Sequence, residues 1–136
     1  MEFRNDQAIY LQIADHLCDN ILMAKWNAGD RIPSVREVAV QIEVNPNTVM
    51  RTFTFLQEQG IIYNKRGIGY FVSDDGYERV KALRKENFVS HELPRLFREM
   101  HLLNVSIQDV KRHYQNYNEE RTKNLQSETN NEKDDL

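Results

Sequence analysis

The stretch Gly29-Asp30-Arg31-Ile32-Pro33-Ser34-Val35-Arg36-Glu37-Val38-Ala39-Val40-Gln41-Ile42-Glu43-Val44-Asn45-Pro46-Asn47-Thr48-Val49-Met50-Arg51 reads as two helices joined by a very short turn. Ser34 and Glu37 form the S-x-x-E capping box, in which hydroxyl and carboxylate each satisfy a backbone amide at the helix start. Val35, Val38, Ala39 and Ile42 recur at three- and four-residue steps and give the first helix one apolar face. Asn45 suits the N-cap of the second helix, and Pro46 its first position, where no amide hydrogen is needed. Val49, Phe53 and Leu56 form the next inward stripe, and Gly60 is placed to end that helix with left-handed backbone. Two short helices around a tight turn form a helix-turn-helix, whose second helix can lie in a DNA major groove.

Before it, Ile9, Ile13, Leu17 and Ile21 step by four, with Tyr10, Ala14 and Cys18 beside them. This spacing predicts a helix from about Gln7 to Met23, with Asn5 and Asp6 as candidate caps. Cys18 has no second Cys or His at ligand spacing and reads as a small packing residue. Trp26 to Asp30 is a turn, with Trp26 over the core edge. After the helix pair, Ile61-Ile62-Tyr63-Asn64 and Ile68-Gly69-Tyr70-Phe71-Val72 flank Lys65-Arg66-Gly67, which predicts a hairpin. Helix-turn-helix followed at once by a hairpin is the winged-helix arrangement. Its tip can bring Lys65, Arg66 and the Gly67 backbone to phosphates or the minor groove.

Asp74-Asp75-Gly76 breaks the chain. Tyr77, Val80 and Leu83 then repeat at helical spacing, with Arg79, Lys81, Arg84 and Lys85 as a solvated basic face. Pro94 is expected to kink or divide the following helix near Ser90 to Leu93. Asn104-Val105 is a turn, Ser106 with Asp109 a further cap, and Ile107, Val110, Tyr114 and Tyr117 a seam. From about Lys123 the residues are almost all polar, so 124–136 is expected to be a disordered acidic tail. The fold class is thus mainly α with a small β-hairpin wing. The expected domains are a winged helix-turn-helix over 1–73, a helical dimerisation region over 74–123, and the tail.

The formal charge of −3 over 136 residues is no argument against a nucleic-acid partner. Residues 125–136 carry one Lys and four acidic side chains, and the rest of the chain balances. What matters is the field at the docking face. Met1 to Asp6 is polar with no apolar run after it, unlike a signal peptide, and no apolar run approaches the ~20 residues of a spanning helix. A cytoplasmic location is the expectation, with no membrane partner. His16, His91, His101 and His113 are scattered, and Asp109 with His113 lacks further ligands, so no metal, cofactor or catalytic site is expected.

The sequence resembles the GntR superfamily of bacterial transcription regulators. The resemblance runs through Ile9-Tyr10-Leu11-Gln12-Ile13, Gly29 to Ala39, Val44 to Val49, Leu56-x-x-x-Gly60-Ile61 and Gly67 to Val72, in the family's order and spacing over roughly residues 7 to 73. The Asn45-Pro46-Asn47-Thr48 turn and the short helical C-terminal part are similar to the YtrA-like branch in particular. The resemblance implies DNA contacts from Arg36, from Asn45, Asn47 and Thr48, and from Gly67. Many members have Arg where this chain has Pro46 and Met50; Arg51 is then the cation to take that role. Phe55, at a position usually charged, is expected to pack on the C-terminal helices or a partner subunit.

Judged by chemistry alone, Arg suits guanine, Asn adenine, and Thr48, Lys65 and Arg66 phosphate. Together with Ser34 these residues make the candidate DNA-binding set. Leu93, Leu96, Phe97, Met100, Leu103, Ile107, Val110, Tyr114 and Tyr117 are expected to build a homodimer core, or else to fold back on their own winged helix. The expected function is a repressor bound as a homodimer to a palindromic operator. The alternative is a winged helix that binds an acidic protein partner without reading duplex sequence. A small-molecule effector is not identified by these residues.

Overall fold

Helix α1 (Ile9–Leu22) presents Ile13, Ala14, Leu17, Cys18 and Ile21 to the core, as their four-residue spacing requires. The computed structural model describes residues 1–4 and 7–134, so the expected caps Asn5 and Asp6 lie outside the described residues. Ala8 holds the N-cap position and makes no side-chain cap bond. Ile9, at the first position of the helix, is exposed rather than inward. Burial pushes the Cys18 thiol up to about 12, which keeps it a neutral packing group. Buried Gln12 ties down the segment before the helix. Its side-chain amide donates to the Arg4 and Gln7 carbonyls, each at 2.7 Å, and its oxygen accepts from the Arg4 amide at 2.7 Å.

Helices α2 (Val35–Ile42) and α3 (Pro46–Glu58) form the helix-turn-helix. The capping box is closed in both directions, Glu37 N donating to Ser34 Oγ at 3.1 Å and Ser34 N to the Glu37 carboxylate at 3.4 Å. Glu43 ends α2 in the left-handed region at φ 57°. Val49, Phe53 and Leu56 are buried as their stripe requires, with Thr52 among them. Thr52 Oγ1 donates to the Tyr10 carbonyl of α1 at 2.7 Å, so this polar side chain is satisfied inside the core.

Strands β1 (Ile62–Lys65) and β2 (Gly69–Val72) pair antiparallel, with Tyr63 opposite Phe71 and Lys65 opposite Gly69. The segment before α2 adds a third edge. Gly29 N donates to the Val72 carbonyl, Val72 N to that of Asp30 and Ile32 N to that of Tyr70, at 2.9 to 3.0 Å. Helix α4 (Gly76–Asn87) packs on α1, with Val80 fully buried. The basic face expected to be solvated is in part structural. Arg84 donates to the Asp15 carbonyl at 3.2 Å and pairs with Asp19 at 2.9 Å, while Arg79 pairs with Asp75 and reaches the Gln59 carbonyl.

The chain divides into two compact units, Met1–Asn87 and Phe88–Leu136. The expected boundary at 73/74 therefore moves, since burial of Val80 and the Arg84 bonds join α4 to the first unit. In the second unit, a π-helical segment (Phe88–Glu92) leads into α5 (Leu93–Leu103). Pro94 has no N–H for Ser90, and the wider turn absorbs the missing bond where a division was expected. Asn104 closes α5 at φ 55°. Ser106 and Asp109 then exchange bonds at 3.1 and 3.2 Å to start α6 (Ile107–Asp134), and the Ser106 amide holds the Asp109 carboxyl below its ordinary value.

The expected disordered tail is corrected over 124–134, where α6 continues. This stretch has no Gly or Pro to stop a helix, and Leu125, Gln126, Glu128, Glu132 and Lys133 favour one, against six Asn, Ser, Thr and Asp residues of lower propensity. Residues 135 and 136 lie outside the described residues. No helix among the described residues is long and apolar enough to cross a membrane.

Phe53 is the largest fully buried side chain, so Phe53→Ala should cost ~3–5 kcal/mol in denaturant unfolding. Asp15 supplies a pH prediction. Burial raises its pKa above the ordinary 3.8, outweighing the nearby Arg84 charge. An acid whose folded value is raised holds its proton more tightly when folded, so its contribution to stability falls as pH rises from 3.8 through the raised value. Asp15→Asn should flatten that fall when denaturation midpoints of variant and parent are compared across the acidic range; parallel profiles would contradict the assignment.

Candidate nucleic-acid interface

Burying Val49, Phe53 and Leu56 leaves the opposite side of α3 outward, at 100° per residue the side of Asn47, Met50, Arg51 and Thr54. All four are exposed. The helix starts firmly: Asn45 Oδ1 accepts from the Asn47 amide at 2.8 Å. The Asn45 carbonyl oxygen is thus spent on capping, which leaves its NH₂ as the outward group. Among the described residues nothing hydrogen-bonds the side-chain amide of Asn47. Thr48 is half-buried at the same first turn, and no partner holds its hydroxyl among the described residues. On α2, Arg36 is exposed in the first turn, whereas Ser34 is half-buried and engaged in the capping box.

Arg51, exposed on the same helix, also has a neighbour within the chain. Its guanidinium lies over the Tyr10 ring, 4.0 Å from the centroid, so α1 holds the one cation of α3. Phe55 meets the same ring edge-on at 6.2 Å. Within the chain Phe55 thus packs on Tyr10, whose ring also carries Arg51, and it stays partly exposed. Two residues one turn apart on α3 find a neighbour in α1 because Thr52, between them, anchors the two backbones together.

On the wing, Arg66 and Gly67 occupy the tip, Gly67 at φ 77° with open space where a side chain would stand. The Ile68 amide closes the turn on the Lys65 carbonyl at 2.9 Å. Lys65 extends back along the hairpin, its Nζ 4.7 Å from the Phe71 ring centroid, and Phe71 stacks on Tyr63 at 5.7 Å. Arg31 pairs with Phe71 across the third edge, and its guanidinium lies against Gly69, where a Cβ would come within 2.9 Å of Nε. Arg31 and Lys65 thus share one face of the sheet, and Arg31 is a cation outside the expected DNA-binding set. Gly69, at φ 144°, is the signal that marked a close approach there.

The arrangement defines a winged helix-turn-helix with an exposed helix start and a cationic wing. It brings Asn45 and Asn47 together at one cap, places Arg31 beside the wing and rests exposed Arg51 on the Tyr10 ring. Comparison with known proteins agrees with that class. Residues 9–72 match the model of the bacterial regulatory proteins of the gntR family. The HTH-type transcriptional repressor YtrA of Bacillus subtilis is 31% identical over 107 residues, 79% of this chain and 82% of its own.

YhcF of Bacillus subtilis, an HTH-type transcriptional regulator, is 41% identical over 73 residues. That match takes in 54% of this chain and 60% of YhcF, less than two thirds of the relative's length. A solved GntR-family structure from Bacteroides thetaiotaomicron superposes with a TM-score of 0.67 at 46% identity, over 84% of this chain and 99% of that one. A GntR-family regulator from Listeria monocytogenes gives 0.66 at 33% identity, over 84% and 98%. The chain belongs to the GntR family of transcriptional regulators.

The stack of Arg51 on Tyr10 should be measurable without DNA. Arg51→Ala should lower unfolding stability by ~0.5–1 kcal/mol, the worth of an exposed cation–π contact. The same substitution in a Tyr10→Leu background should cost nothing further, and equal losses in both backgrounds would refute the contact.

Proposed function

We propose that this chain is a sequence-specific DNA-binding regulator that acts as a homodimer on a palindromic operator and represses transcription. The observation that carries the DNA reading is the start of α3, where a cap bond of 2.8 Å to the Asn47 backbone amide fixes the first turn and Asn47 stands exposed beside Thr48 on a helix whose other side is core. In a winged helix, the first residues of this helix reach base edges and the wing reaches the backbone or minor groove. Asn47 suits adenine, Arg36 guanine, and Thr48, Lys65 and Arg66 phosphates. Gly67 lets the wing backbone approach closely.

Dimerisation is supported by the second unit. Leu96, Phe97, Leu103, Ile107, Tyr114 and Tyr117 are 42–66% exposed in the single chain, and no residue of α5 is buried. With Leu93, Met100 and Val110 half-buried, that is a long apolar series with little cover, on helices too few to enclose a ligand pocket of ordinary size. A two-fold dimer would cover it and space two recognition helices for an inverted repeat. Repression fits steric blocking of polymerase, and YtrA carries the name of a repressor. A cytoplasmic location goes with that role.

Footprinting on DNA upstream of the chain's own gene tests the proposal. A protected inverted repeat is expected; binding to duplex with no sequence preference would favour the alternative, a winged helix for an acidic protein partner. Met100→Asp, which would bury an unpaired carboxylate in the dimer, should halve the sedimenting mass with helix content retained. An unchanged mass would defeat the dimer assignment.

A further inference from the structure

Met50 is the unusual side chain of the outward face of α3. It is 42% exposed, four residues after Pro46, so the two lie side by side as an apolar strip along the helix surface. Asn47 and Thr54 flank that strip. A single exposed Met is ordinary on a protein surface. This one stands in the middle of the element that enters the groove, where each outward residue has a base edge to meet.

The chemistry of the face is selective. The major groove presents guanine as two acceptors suited to Arg or Lys, adenine as an acceptor and a donor suited to Asn or Gln, and thymine with a 5-methyl group suited to apolar side chains. Helix α3 has one cation, Arg51, and its guanidinium is stacked on Tyr10. Beside it, outward, stand an unengaged carboxamide, Asn47, a hydroxyl, Thr54, which donates to the Met50 carbonyl at 3.0 Å, and two apolar side chains, Pro46 and Met50. An unbranched thioether adapts its shape to a methyl group without imposing one rotamer.

We infer that α3 is built to read A·T base pairs, with Asn47 bonding adenine and Met50 packed against the 5-methyl of a thymine. This rests on the DNA-binding reading above and adds to it the base class that the helix accepts.

The test uses the full chain and duplexes enriched from a random-sequence library. In the enriched site, each thymine is replaced singly by deoxyuridine, which removes the 5-methyl and leaves the Watson–Crick edge intact. One thymine per half-site should respond, with affinity falling about 4-fold for the lost methyl, as burial of one CH₂ at ~0.8 kcal/mol implies. Met50→Ala should weaken binding to the thymine duplex and bring the thymine-to-uracil ratio at that position close to one.

Because Met50 is exposed, the alanine variant is expected to fold, which circular dichroism checks. An enriched site with no uracil-sensitive position would overturn the assignment, as would a sensitivity that persists in Met50→Ala. No enriched site at all would overturn the DNA reading itself, and the Met50 assignment with it.

Discussion

The placement of α3 depends on burial of its inner stripe. Val49 and Phe53 have no exposed surface, and Phe53 meets Tyr70 of the wing edge-to-face at 4.8 Å. Because the stripe is narrow, sinking it into the core determines which residues point the other way, and those are the residues available to a groove. Thr52 adds a directional bond to the Tyr10 carbonyl, so rotation of α3 about its axis would strand a buried hydroxyl as well as expose Phe53. One interior contact surface thus sets both the orientation of the helix and the aim of the wing.

What the sequence made legible was local. The capping boxes at Ser34 and Ser106, the Asn45 cap, the hairpin around Gly67 and the interruption at Pro94 are all encoded within a few residues, and each stands where the pattern put it. What was not legible was contact between residues far apart in the chain. Arg51 and Phe55 share Tyr10, more than forty positions earlier. Arg84 returns to Asp15 and Asp19, and Arg31 pairs with Phe71. An Arg on an exposed-looking position carries no local signal of the ring or carboxylate it will meet. Polar composition likewise did not show that α6 runs on through 124–134, a stretch without the Gly or Pro that would stop a helix.

The division of labour between the two units follows from their interiors. The first has a closed core in which, among the described residues, every buried side-chain polar atom has a partner. The second carries long apolar side chains that a single chain leaves half or more exposed. A closed winged-helix core is thus followed by a helical unit whose apolar side chains have little cover within the single chain. Arg84 contributes at the end of the first unit, because its bonds to α1 tie the helix that leads out of the reading head to its core.

The central claim is that this winged helix distinguishes one duplex sequence from another. The most direct measurement is binding to a library-enriched duplex and to its scrambled counterpart over a salt series. Both affinities should fall with salt as phosphate contacts release counterions, while the enriched duplex keeps its advantage because base contacts release none. Two curves that coincide at every salt concentration would contradict the account.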